Sequence, residues 1–578
     1  MARPSSPRGR FSLRTRAANV QRFQRDKFDI AIVGGGITGA GIARDAALRG
    51  LSVALLEKGD FGSGTSSKSS RMAHGGLRYL RQRHISLVRE SLRERGVLLK
   101  IAPHLVHPFP FLLPVYDSGL EERVQLRLGL TAYDLLAGRH GLERHRMLSR
   151  QEVLQQEPAL RQDGLQGALR YFDCLAHDAR LTLATVRSAS RQGAAVANYV
   201  QATALEREEQ RVVGVRFRDA LSGRTGLLRA GVVVNAAGPW CDELRAMTSL
   251  PPMLRPTKGI HIVLPHHRLP VTNIVVFFHN GRGLFAVPKD DWTYVGTTDT
   301  DYQGDPTCAR ADAADVTYVL EATNNAFPGR AIVPGDIVST WAGVRPLVAE
   351  EGAPTPSDLS RDYEIENEPP GLVTIAGGKL TTYRSMAQDL LDRLVAAEGR
   401  RLDWSHRPCC TAELPLPGGD VEGFDSYVEG AVAALEEGWG LPPAVASRLV
   451  RTYGSEHAKI LAYGLRDKRL LEPLTSGSAV LRAEAVYAAE EEMAVTLEDF
   501  LARRTDLMLF DRDHGLRVAP LVARLMGSVL GWGWRARREQ LRRYREAVAA
   551  MTAFARPDRR PSGREHKPAS TGGGSASG

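Results

Sequence analysis

The sequence predicts an α/β body followed by an all-helical domain, and three observations carry that assignment. Residues 28–57 read as a strand, a glycine turn, a helix and a second strand. Between 259 and 300, apolar residues alternate with the period of antiparallel strands. After about residue 420 strands largely disappear and long helical patterns dominate.

The first unit is regular. Phe28 to Val33 is an apolar run suited to a buried strand. Gly34 to Gly41 is a glycine turn, residues 42–49 a helix that Gly50 can end, and residues 51–56 a second strand closed by Glu57. Gly34, Gly36 and Gly39 have the G-x-G-x-x-G spacing. Such glycines let the backbone approach a pyrophosphate, and the helix N-terminus then faces its charge. Glu57 stands where an acid accepts hydrogen bonds from ribose hydroxyls. A purely structural glycine turn is the alternative, but strand, helix, second strand and acid in register favour a dinucleotide. NAD and FAD both fit one such unit. Further Gly-bearing turns at 62–76, 235–238 and 377–378 suit a longer cofactor touched by separated segments, which is FAD.

The chain has 578 residues, 43% hydrophobic and 25% charged, as globular proteins do. Its net charge of +10 could indicate a nucleic-acid or membrane-surface protein. That charge sits at the ends, +7 in residues 1–27 and +3 in residues 555–578, so a uniformly basic body is excluded. The Arg- and Ser-rich N-terminus has a transit-peptide composition; the reading adopted is a basic disordered extension over 1–27 and a disordered tail over 555–578. Between them lie interleaved cofactor and substrate domains (28–402), a Pro- and Gly-bearing linker (403–419) and the helical domain (420–554). Five cysteines without C-x-x-C or Cys/His spacing support neither a metal site nor a disulfide framework, and suggest a reducing compartment. No run of 18 apolar residues suggests a transmembrane helix or a secretory core.

Longer motifs narrow the reading. IVGGGITGAGIARDAALRGLSVALLEKGD (32–60), GTSSKSSRMAHGGLRYL (64–80), VVNAAGPW (233–240), VGTTDTDY (295–302), GVRPL (343–347), SRDYEI (360–365) and IAGGKLTTYR (375–384) occur in one order. On these, the chain resembles the FAD-dependent glycerol-3-phosphate dehydrogenase family over roughly residues 28–400. The helical stretch after 420 resembles the C-terminal domain of its bacterial members. The resemblance implies a glutathione-reductase-like FAD-binding Rossmann domain with an antiparallel-sheet substrate domain. No DxDxDG loop follows the helical domain, so the calcium-binding extension of mitochondrial members is not expected.

Glycerol 3-phosphate carries a dianion, which the planar fork of Arg suits. Arg78, Arg345 and Lys379, with Tyr79 alongside, are expected to face it, and Arg361 is a further candidate. A surface or structural ion pair is the alternative for any one Arg. Oxidation sends a hydride to the flavin while a base takes the hydroxyl proton, a task suited to His. His261 is favoured; His74, beside the glycines of its loop, is the other candidate and is also a cofactor contact. Thr65, Ser66, Ser67, Ser70, Gly75 and Gly238 are assigned to the cofactor. Gly378, Lys379 and Thr381 would bring a helix N-terminus and a cation to the flavin. His177 and Lys289 depart from the family pattern, which usually has an acid and an aromatic there.

The resemblance implies quinone as acceptor and a peripheral place on the cytoplasmic face of the inner membrane. A basic helix at 534–549 could lie on an anionic surface or pack into its own domain. Transfer to O₂ by an oxidase of the same fold, and a non-enzymatic membrane-surface or nucleic-acid binder, are the competing readings. A homodimer is possible, and no nucleic-acid partner is expected.

Overall fold

The first strand, Lys27–Val33, pairs in parallel with Val53–Leu56 on one side and Thr225–Asn235 on the other. Ala195–Ala197 and Leu372–Gly377 extend this parallel set, and the hairpin Val200–Glu208/Arg211–Asp219 adds antiparallel strands. The computed structural model describes residues 11–81, 84–117, 119–350, 359, 361–404 and 406–555. Parallel strands covered on both faces need unbroken apolar runs, and Ile30, Ala31, Ile32, Val232, Val233 and Val234 are fully buried. Helices Ile37–Leu48, Asp178–Arg191 and Tyr383–Glu398 pack together over this sheet.

A second, mixed sheet forms the substrate half. Leu254–Pro265 lies between Trp292–Gly296 and Ser339–Val348, both antiparallel to it. Arg282–Lys289, Ile274–His279, Val106–Tyr116 and Leu165–Ala176 continue the sheet outward. After the strand Val53–Leu56, the loop from residue 60 crosses from one sheet to the other and joins the second at Met72–Ala73.

Residues 11–27 correct the expectation of a disordered extension. Leu13–Arg25 is a helix capped by Ser12, with Arg16, Asn19, Val20 and Phe23 on its buried side. Phe23 packs edge-on against Phe28 and Phe217. Arg16 pairs with Asp219 and donates to Asn198 O at 2.8 Å. One face of the charge-rich segment therefore docks on the sheet, which charge counting hides. Residues 1–10 and 556–578 lie outside the described part. The segment read as a linker is laid against the first domain: Leu416 is buried, and Arg44 donates to Thr411 O at 3.0 Å.

Helices occupy the chain from Phe424 to Met551. Buried ion pairs tie them to the cofactor half. Arg180 forks onto Glu492 at 3.0 and 2.8 Å, and Asp60 takes Arg503 and Arg504, each at 2.7 Å. Asp60 is 1% exposed. Its removal would leave two buried guanidinium groups short of a counter-charge. Asp60→Ala is expected to cost about 3–5 kcal/mol of stability, measured by denaturant unfolding of the holoprotein.

Candidate active site

The glycine turn is built for close approach. Gly34 has φ +114°, and a Cβ there would meet Ala236 O at 2.3 Å; one on Gly39 would meet Gly34 O at 2.0 Å. Gly36 is the N-cap of Ile37–Leu48 and has no side chain to cap it; Ser66 Oγ accepts from Ile37 N at 2.9 Å instead. Glu57 closes the turn, one carboxylate oxygen on Gly35 N and the other on Gly59 N, both at 2.7 Å. Burial pushes its carboxyl up and those two N–H bonds oppose the shift. A bare helix N-terminus with hydroxyl and carboxylate oxygens around it fits the phosphates and ribose of a dinucleotide.

From this turn the loop Thr65–Ser67 leads to a cavity of about 860 Å³ between the two sheets. Thr65, Ser70, His74, Tyr79, His261, Arg345, Arg361, Gly378, Lys379 and Thr381 all line it. Thr65 Oγ1 donates to Val344 O, and His74 N donates to Thr381 Oγ1 at 3.1 Å. Gly34, Gly36, Gly39, Glu57, Ser66 and Ser67 are not part of the cavity wall; they belong to the glycine-turn end. Gly75 is turned inward, its N–H on Asp173 at 3.2 Å. Gly238, with φ +57°, opens the short helix Gly238–Trp240 beyond the strand end. Arg78 lies on helix Leu77–Arg81 by its backbone, and its side chain is outside the described part.

Two missing side chains make room for the reacting groups. A Cβ on Gly259 would meet Arg345 Nη2 at 2.3 Å, and one on Gly296 would meet His261 Cδ2 at 2.3 Å. Arg345 donates to Asp299 Oδ1 at 3.1 Å and to Thr297 Oγ1 at 3.0 Å. Arg361 donates to the other oxygen of Asp299 at 2.8 Å. One carboxylate thus aligns two guanidinium groups. Burial pushes Asp299 up, but Arg345 and Arg361 outweigh it and hold the carboxyl below its usual range. Lys379 Nζ stands 3.8 Å over the Tyr79 ring. Asp299 neutralises only part of this cationic wall, so an anion is favoured.

His261 is 3% exposed, stacked on Trp341 at 4.5 Å, with Nε2 2.8 Å from Ser70 Oγ. Burial, then Arg345 and Arg71, hold its pKa well below the ordinary imidazole value, so the ring is neutral near pH 7. Ser70, assigned to the cofactor, therefore also holds the ring. Asp299, Thr297 and Trp341 were not among the sequence-predicted residues; the motif VGTTDTDY contains the first two, but nothing in it marks a bridge between two arginines.

Residues 29–384 match the family described as FAD dependent oxidoreductase, and residues 409–537 match the C-terminal domain of alpha-glycerophosphate oxidase. An aerobic glycerol-3-phosphate dehydrogenase of Staphylococcus haemolyticus is 40% identical over 89% of this chain and 92% of its own length. The chain belongs to the FAD-dependent glycerol-3-phosphate dehydrogenase family. Another such relative, from Staphylococcus aureus, is 39% identical over the same shares. The family's Bacillus halodurans glycerol-3-phosphate dehydrogenase, solved with FAD, superposes with a TM-score of 0.79 at 32% identity, covering 94% of this chain and 99% of that one. The L-alpha-glycerophosphate oxidase of Mycoplasma pneumoniae, also solved with FAD, shares the fold, with a TM-score of 0.52 at 18% identity over 68% and 99%. FAD is the cofactor of the family, and the glycine turn, Glu57 and the Thr/Ser loop of this chain fit it.

Proposed function

We propose that the protein oxidises sn-glycerol 3-phosphate to dihydroxyacetone phosphate and passes the electrons to a quinone. The observation that carries this reading is the Arg345–Asp299–Arg361 bridge in one cavity with His261, which the Thr65–Ser67 loop links to the glycine turn. Bound FAD supplies the hydride acceptor. Arg345, Arg361 and Lys379 hold the substrate phosphate, and Tyr79 orients Lys379. The phosphate anchor fixes the secondary alcohol, which converts the reaction into an effectively unimolecular one. The hydroxyl proton leaves to Ser70 Oγ as Ser70 passes its own proton to Nε2 of His261, 2.8 Å away, while the carbon gives up its hydride. Loss of one proton and one hydride leaves the ketone.

A quinone is supported by the apolar half of the cavity, walled by Phe111, Leu113, Leu126, Leu130 and Phe285. Leu126 and Leu130 belong to helix Leu120–Ala137, whose outer face exposes Val124, Leu128 and Leu135. An exposed apolar face on the helix that walls the apolar half of the cavity suits contact with a membrane holding the acceptor. Among the described residues no helix is long and apolar enough to cross a membrane. The basic helix, which runs Trp534–Met551, buries Tyr544 and Val548 toward its C-terminal end while Trp534 at its start stays exposed, and Arg542 pairs with Glu539 and Glu546.

Anaerobic addition of glycerol 3-phosphate is expected to bleach the flavin band. A short-chain quinone should then restore it faster than air and without peroxide. An unbleached band would reject the substrate; rapid reoxidation by O₂ with stoichiometric peroxide would favour the oxidase reading.

A further inference from the structure

The base proposed for the reaction is held by a chain of contacts that ends in the helical domain. His261 stacks on Trp341, and Trp341 Nε1 donates to Ser69 O at 3.2 Å. Its Nε2 partner is Ser70, and Ser70 O accepts from Tyr294 OH at 3.2 Å. The next residue, Arg71, is 5% exposed and left-handed, with φ +56°. Its guanidinium lies 5.7 Å from the Trp341 ring centre and 5.1 Å from that of Phe510. Phe510 in turn packs against both Trp341 and Tyr294 at 6.2 Å.

Asp506 fixes Arg71. Two parallel bonds join them, Nη1 to Oδ2 at 2.6 Å and Nη2 to Oδ1 at 3.0 Å. His177 Nε2 lies 3.2 Å from the same Oδ2, so the histidine that departs from the family pattern belongs to this cluster. Asp178 completes it, accepting from Ser69 Oγ at 2.7 Å and standing 4.0 Å from Arg71 Nε. Asp506 and Phe510 come from the helical domain, Asp506 as N-cap and Phe510 as last residue of the short helix Leu507–Phe510; Ser339 Oγ anchors that helix through Leu509 O at 2.7 Å. Asp506 is 5% exposed and also left-handed, with φ +62°. A buried bidentate pair between two domains fixes geometry in both.

We propose that Asp506 is a positioning residue for catalysis: through Arg71 and the Ser70–Trp341 clamp, the helical domain sets the orientation of the His261 ring. This rests on His261 being the base. Without the carboxylate, Arg71 loses its bidentate partner directly behind Trp341 and Ser70, and the clamp loosens. The phosphate site, made by Arg345, Arg361 and Lys379, has no member in this cluster. The chemical step should therefore suffer and substrate binding should not.

The test is single-turnover reduction of the FAD-loaded enzyme by glycerol 3-phosphate. Asp506→Asn is expected to slow flavin bleaching at saturating substrate about 10- to 100-fold, the scale of a small misplacement of a reacting group. The half-saturating substrate concentration should stay within about 3-fold, well under one anchor's worth. Glu484→Gln serves as the control. Glu484 is buried in the same domain and bonded to Arg448 and Tyr453, neither of which bonds to Arg71, Ser70 or Trp341. It should lower thermal stability while leaving the bleaching rate at the wild-type value. A wild-type rate in Asp506→Asn, or equal slowing in both variants, would overturn the proposal. If Asp506→Asn does not fold, Phe510→Leu carries the same expectation, a slowed rate with unchanged half-saturation, and a wild-type rate there would overturn it. His261→Asn is measured alongside. Wild-type bleaching in that variant removes the base itself, whereas slow His261→Asn with normal Asp506→Asn removes only the link.

Discussion

Arg345→Ala should raise the KM for glycerol 3-phosphate about 100-fold or more while the protein stays yellow. The guanidinium forks between Asp299 and Thr297 at the cavity wall, aligned by a carboxylate that it shares with Arg361. Truncating one partner of a hydrogen-bonded charge pair in a largely enclosed site costs about 2–5 kcal/mol, and the Arg345 side chain is 23% exposed. The cost is compounded here, because Asp299 loses one of its two arginines and presents more negative charge toward the phosphate. Arg345→Lys should recover only part of the loss, since an ammonium offers a point charge in place of a fork. The glycine turn, Glu57 and Ser66 make no contact with Arg345, so FAD content should match wild type. Steady-state kinetics and the flavin spectrum check both halves; loss of FAD would place Arg345 at the cofactor instead.

His261→Asn should act on the other parameter. A positioned base contributes about 10²–10⁴ in rate, so flavin reduction at saturating substrate should fall by that factor with KM little changed. The pH dependence has a definite sign. The ring's pKa is held well below 6.5 by burial, then Arg345 and Arg71, so the basic form exists above that low value and is lost only as pH falls through it. The acid limb due to His261 should therefore lie well below pH 6.5. The substrate phosphate titrates near pH 6 itself, at about its second pKa. That inflection persists in His261→Asn, and the limb that disappears is the one belonging to the ring. A vanishing limb at or above pH 6.5 would exclude this assignment.

Local features were legible in the sequence because short-range rules determine them. The turn at Gly34, Gly36 and Gly39 and the acid at Glu57 sit within one βαβ unit, where spacing fixes geometry. His261, Arg345 and Lys379 come from three distant segments, and only the family motifs brought them together on paper. Relations between segments were not legible. Asp299 looks like any acid in a Thr/Asp run, because its function depends on two arginines, one on a neighbouring strand and one in a loop. Ser70 was assigned to the cofactor because its hydroxyl lies in the Thr/Ser loop, yet its hydrogen bond is to a histidine 191 residues away. The N-terminal helix was missed for a different reason. Its mean hydropathy is low and its buried face mixes Arg16 and Asn19 with Val20 and Phe23, so the count of basic residues hides an amphipathic helix. An Arg that turns inward to a carboxylate on the far side of a domain leaves no local sign.

The attachment of the helical domain behind the Trp341–His261 stack has a consequence for synthesis. Domains tend to fold in order as the chain emerges, and here the sheets that carry the cofactor site are made first. Asp506 and Phe510 leave the ribosome only after nearly nine-tenths of the 578 residues have been translated. Until then Arg71 faces a gap where its bidentate partner belongs. On the positioning proposed for Asp506, the full rate of flavin reduction waits until the last domain has docked.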